Sequence, residues 1–140
     1  EYPSYEDEIE IIKQTTSNKK PDSEEIISKE QIIEYQNLIR KVPVPDNVFE
    51  YAVSLVYSTR HDSELSKDIS REYLEWGAGP RAGQYLILAA KCNALLRGNY
   101  SPDIEDVKSV AVPVLRHRIV KSFKAEAEDL SEEKIIEQLL

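Results

Sequence analysis

From Ala82 to Leu96 the chain carries apolar side chains on nearly every side of a helical wheel: Tyr85, Leu86, Ile87, Leu88, Ala89, Ala90, Ala94 and Leu95. A helix of that kind is enclosed by other helices rather than laid on a surface. The segment is also punctuated at both ends. Gly79 and Pro80 supply an N-cap and a first helical residue with its backbone angle already set, and Gly98-Asn99 supply a left-handed stop. The rest of the chain must therefore wrap this segment, which predicts an all-α fold, a helical bundle.

The remaining helices are legible from their caps. Ser4 caps a first helix running to about Gln14, with Ile9 and Ile12 as its apolar positions. Thr15 to Asp22 reads as a polar linker ending near Pro21. Ser28-Lys29-Glu30-Gln31 is a capping box, opening a helix with Ile32, Tyr35 and Ile39 on one stripe. Each proline of Val42-Pro43-Val44-Pro45 pushes its predecessor out of the helical region, so this tetrapeptide is an extended connector. Asp46 or Asn47 then caps a helix whose Val48, Tyr51, Ala52, Leu55, Val56 and Thr59 follow amphipathic spacing.

His61 to Glu75 reads as a charged loop anchored by Leu65, Ile69, Tyr73 and Leu74. Ser101 as cap and Pro102 as first residue predict the next helix, with Pro113 kinking or restarting it. Ser131 caps a last short helix bearing Ile135, Ile136, Leu139 and Leu140. That apolar tail has no evident burial site in the bundle and is expected to dock on a partner or fray. No internal repeat, heptad seam or long strand-period segment is present.

Composition narrows the function classes. The 140 residues suit one domain, and 41% hydrophobic with 31% charged residues describe a soluble globular chain. A net charge of −8 argues against a nucleic-acid partner, which requires a basic footprint. One basic cluster, Arg116, His117, Arg118, Lys121 and Lys124, runs against the trend and reads first as a solvated helix end. No apolar run is long enough for a bilayer crossing and no signal peptide opens the chain. The single cysteine, Cys92, fits a reducing, cytoplasmic setting and reads as a small filler on a helix face. His61 and His117 lack ligand spacing, so no metal site is expected.

The most informative local chemistry is Gly77-Ala78-Gly79-Pro80-Arg81. Arg81 falls in a first turn, where unpaired N–H groups and the helix dipole already make the surroundings positive. Acidic residues are the usual occupants there. An arginine in that position has either a neighbouring carboxylate to pair with or an anion to bind, a nucleotide phosphate above all.

Gly77-Ala78-Gly79-Pro80-Arg81-Ala82 resembles the GASPRA signature of the lid subdomain of MoxR-family AAA+ ATPases, which carries their "sensor 2" arginine. Further segments match in the family's order. Tyr2-Pro3-Ser4 with the acids after it resembles the start of the lid, and Leu55-Val56-Tyr57-Ser58-Thr59-Arg60 its LVxxTR helix end. Tyr100-Ser101-Pro102-Asp103-Ile104-Glu105-Asp106-Val107 resembles YVxPEDV, and Val114-Leu115-Arg116-His117-Arg118 resembles VLRHR. Gly79 departs from the family's usual Ser and so removes a side-chain cap.

The resemblance implies a lid subdomain over residues 1–140, with a family-like core to about residue 119 and a C-terminal extension over residues 120–140. It implies that a P-loop subdomain with Walker A and B motifs lies outside this chain, which lacks a GxxxxGK[ST] loop and begins with Glu1 rather than Met, as an excised piece would. This chain alone is then not an enzyme, whereas the parent protein would hydrolyse ATP with Mg2+.

Gly77, Ala78, Gly79, Pro80 and Arg81 would form the nucleotide-facing turn, with Arg81 as the catalytic sensor. Arg116 and Arg118 would face the nucleotide or an adjoining subunit. Implied partners are the protein's own P-loop subdomain, neighbouring subunits of a hexameric ring, and clients reached through von Willebrand A-domain proteins. ATP-driven lid motion would act as a lever in chaperone-like remodelling. The other class the residues permit is a stand-alone helical protein-interaction module with no nucleotide role.

Overall fold

Ser4 accepts a hydrogen bond from the Asp7 amide at 3.2 Å and opens α1 (Tyr5–Thr16), none of whose residues is buried. The computed structural model describes residues 2–18 and 26–140. Most of the expected linker after Thr16, including Pro21, lies outside the described residues. The chain divides into two compact units, residues 1–32 and 33–140.

The capping box at Ser28 forms as its sequence predicts. Gln31 N donates to Ser28 Oγ at 3.2 Å, and Ser28 N donates to Gln31 Oε1 at 2.8 Å. It opens α2 (Lys29–Lys41). In the second unit the elements are α3 (Asp46–Ser58), α4 (Asp68–Tyr73), β1 (Leu74–Trp76), α5 (Pro80–Leu96), α6 (Ile104–Leu115), β2 (Val120–Lys121), α7 (Phe123–Ala127) and α8 (Glu132–Leu139). The fold is helical as expected, with one small addition. β1 and β2 pair antiparallel, Leu74 opposite Lys121 and Trp76 opposite Val120.

The core forms where α5 meets α3 and α6. Ala82, Leu86, Ala90 and Ala94 are buried at four-residue intervals along α5, opposite Val48, Ala52, Leu55 and Val56 of α3 and Val107, Ala111 and Leu115 of α6. The small alanines let neighbouring backbones approach closely, but only this stripe is enclosed, which corrects the expectation of a helix surrounded on nearly every side. Ile87, Leu88, Leu95 and Cys92 are only half-buried, and Tyr85 is 49% exposed. The α5 stop is a Schellman motif. Gly98 takes φ +81°, its amide donates to Leu95 O at 3.0 Å, and Asn99 N donates to Ala94 O at 2.8 Å.

Further expectations are corrected. His61–Glu75 is not one long loop, because α4 and β1 occupy its second half, held by Ser70 Oγ donating to Ser58 O at 2.6 Å. The α3 N-cap is Pro45 rather than Asp46 or Asn47, so Asp46 falls inside the first turn and favours the dipole there. The α6 cap is Asp103 rather than Ser101. Asp103 and Asp106 form a reciprocal capping box, while Pro102 is buried and Ser101 Oγ donates to Pro43 O at 3.2 Å. α6 continues through Pro113 to Leu115 without restarting.

The last concerns the apolar tail, which is buried within the chain itself. Ile135 and Ile136 are fully buried and Leu139 is 3% exposed. α8 packs on α4 and α6, and Lys67 Nζ donates to Leu139 O at 2.7 Å, a cation on the negative end of the helix.

Candidate anion site at the glycine turn

The turn from Gly77 to Pro80 is fastened to the end of α3. Thr59 is fully buried. Its hydroxyl accepts the Ala78 amide at 2.8 Å and donates to Val56 O at 2.6 Å, so both its hydrogen-bonding capacities point to backbone. The next residue, Arg60, donates from Nε to Ala78 O at 3.0 Å and stacks its guanidinium over Tyr57, 4.4 Å from the ring centre. Ala78 is thus held at both N–H and C=O by two consecutive side chains.

Gly77 is required by this close approach. A Cβ there would lie 2.5 Å from Thr59 O, well inside contact distance with backbone that cannot swing away. Gly79 differs. It is the α5 N-cap with φ −82°, makes no side-chain cap, and has open space where a Cβ would stand.

Pro80 is the first residue of α5 and Arg81 the second, as the sequence predicts. The first turn of α5 contains no acidic residue. Arg81 is exposed and makes no ion pair or side-chain hydrogen bond among the described residues. No carboxylate among the described residues accounts for it. An unpaired guanidinium at the positive end of a helix dipole is a place where an anion lowers the energy.

Beside it, Pro80 and Gly83 of α5 and Val53, Val56, Tyr57 and Arg60 of α3 line a cleft of about 190 Å³. Arg60 is a second cation at this turn. Its motif was visible in the sequence, but nothing local marked the contact with Ala78, which spans 18 residues.

Arg116 and Arg118 separate. Arg116 reaches toward α8, 3.8 Å from Glu133. Arg118 turns the other way and stacks on Tyr85 of α5, 4.8 Å from the ring centre, with its guanidinium on Val114 O. Tyr85 lies one helical turn beyond Arg81 on the same face of α5. The structure thus brings Arg118, and not Arg116, to the side of α5 that carries Arg81.

The strongest electrostatic feature lies away from this turn, near the other end of α5. The Asp106 carboxylate is fully buried, and Arg97 and Asn93 each donate to it at 2.8 Å. Burial pushes its pKa up. The hydrogen bonds from the Asp103 backbone, Asn93 and Arg97, with the Arg97 charge, outweigh that and hold it below the usual carboxylate range. It ties α5 to α6 and is structural.

Among the described residues no three His, Cys, Asp or Glu side chains gather as a metal site would require. Nor is any described helix long and apolar enough to cross a membrane.

Comparison with known proteins gives a consistent picture. The profile of the AAA lid domain family matches residues 66–139. The chaperone MoxR1 of Mycobacterium tuberculosis is 33% identical over 139 residues, covering 99% of this chain and 37% of its own length. The uncharacterized protein YeaC of Bacillus subtilis is 27% identical over 140 residues, covering 99% of this chain and 41% of its own. A crystal structure of a candidate ATPase from Cytophaga hutchinsonii superposes with a TM-score of 0.78 at 32% identity, covering 99% of this chain and 42% of that one. The chain therefore spans about two-fifths of the length of these relatives.

Proposed function

The chain belongs to the AAA lid domain family as a MoxR-type lid, and from that premise we propose that Arg81 is its sensor 2 arginine, acting on ATP held between this lid and a P-loop subdomain. One observation carries the reading: Arg81 is an exposed cation without an ion pair among the described residues, in a first helical turn that has no acid. Gly77, Ala78, Gly79 and Pro80 form the turn that presents it.

The guanidinium contacts the γ-phosphate, where a planar fork of donors matches the spread charge of a phosphoryl group in transfer. An arginine in such a role contributes about 10³–10⁵ in rate. The helix behind it supports this role, because α5 is anchored by its buried Ala82 and Leu86 and the turn by Thr59 and Arg60.

ATP with Mg2+ supplies the phosphoryl chemistry. This chain's part of that site fits the phosphate and not the metal, whose ligands come from the P-loop subdomain. Arg118, on the Arg81 side of α5, faces the nucleotide or an adjoining subunit, whereas Arg116 turns away toward Glu133 of α8. The full-length protein is an ATP hydrolase of the cytoplasm that assembles as a hexameric ring. It moves this lid as a lever to remodel client proteins, reached through von Willebrand A-domain partners.

The coding sequence upstream of Glu1 tests the reading. A GxxxxGK[ST] loop followed by an acidic Walker B strand is expected. An open reading frame without them contradicts it and leaves a helical interaction module.

A further inference from the structure

Within the second unit, a groove of about 580 Å³ runs between the end of α2, the outward face of α5 and the end of α6. Its apolar surface comes from Ile39, Leu88 and Val114, and its cations are Arg40 and Arg118. Among the described residues no carboxylate lines it, in a chain with 26 acidic residues against 18 lysines and arginines. Neither Arg40 nor Arg118 has an acidic partner among the described residues. Lys91 Nζ, also without an acidic partner among the described residues, donates to Arg40 O at 3.0 Å. The net negative charge of the chain thus gives way here to a local positive field.

We infer that this groove binds an acidic segment of a partner protein, one with apolar side chains spaced along one face and Asp or Glu flanking them. The apolar floor supplies the contact area, and the unpaired guanidiniums supply orientation and the choice of partner. A free phosphate would use the cations and leave Ile39, Leu88 and Val114 uncovered, so the lining favours a peptide over an inorganic anion. Tyr85 holds Arg118 by stacking, which keeps its charge at the groove instead of letting it swing into water. The inference deepens the subunit-contact reading of Arg118 and adds what that residue recognises.

Chemical-shift mapping on the 140-residue chain tests it, with a synthetic amphipathic peptide of Leu and Glu as probe. The same peptide with Lys for Glu, and inorganic triphosphate, are the comparison arms. Saturable shifts at the groove amides are expected with the Glu peptide alone. Arg40→Glu, an exposed position that leaves the core untouched, should weaken binding by about tenfold or more, the scale of one charge-assisted contact. Arg118→Ala should do the same. Equal binding of the two peptides, or full binding by Arg40→Glu, overturns the inference. So does triphosphate reproducing the shifts at lower concentration than the peptide. None of these outcomes bears on Arg81, whose role is read from ATP turnover of the full-length protein.

Discussion

The buried Thr59 hydroxyl and the Ala78 amide, 2.8 Å apart, join the end of α3 to the turn that starts α5. Because the same hydroxyl donates to Val56 O, its orientation is fixed from within its own helix. Removing it strands a buried amide. Thr59→Val, which keeps the shape, should therefore destabilise the chain by about 1–3 kcal/mol, and Thr59→Ser by clearly less. Urea denaturation midpoints distinguish the two.

The two glycines of the turn should respond in opposite directions. Gly77→Ala forces a Cβ against the Thr59 carbonyl and should lower the urea midpoint. Gly79→Ser has room and a compatible φ, and it restores an N-cap, so it should raise stability by a few tenths of a kcal/mol. A stabilising Gly77→Ala would contradict the packing described for the turn.

Burial along α5 ranks its leucines. Leu86→Ala should cost about 2–5 kcal/mol through lost burial and a cavity, because Leu86 is fully enclosed. Leu88→Ala and Leu95→Ala, at half-buried positions, should cost less. Parallel denaturation of the three variants gives the order directly.

That ranking also marks where the sequence stops being informative. Caps and stops are local, so Ser4, Ser28, Gly79-Pro80 and Gly98-Asn99 could be read without a structure, and they hold. Apolar character alone could not say which side of α5 faces inward, since alanines and leucines alternate around it and only the neighbours decide. The pairing of Trp76 with Val120 joins residues far apart in the chain, and strands this short have no periodicity to read. The burial of Ile135 and Ile136 depends on α4, which the charges between His61 and Glu75 concealed. Arg81 was legible because its oddity is local: a cation where the helix dipole disfavours one. The Thr59 and Arg60 contacts that steady its turn were not.

Acid should weaken the fold through Asp106. Its folded pKa lies below its ordinary value, so its stabilisation is fully present above the unfolded pKa, about 3.9. It is lost as pH falls through the folded pKa. Asp106→Asn should be less stable than the parent at neutral pH, with the gap closing as pH falls below the ordinary carboxylate range. Thermal melts across that range check the sign: a gap that widens in acid would contradict it.

ATP turnover by the full-length protein carrying Arg81→Ala is the most direct measurement of the central claim. Turnover should fall by about 10³-fold or more while the fold is retained, since Arg81 is exposed and starts a helix it does not pack. Lysine should rescue poorly, because an ammonium lacks the planar fork. Nucleotide affinity should fall less than turnover, as expected for a charge used chiefly in the transition state. Near-normal hydrolysis by Arg81→Ala, with at most a small loss of stability, would contradict the account.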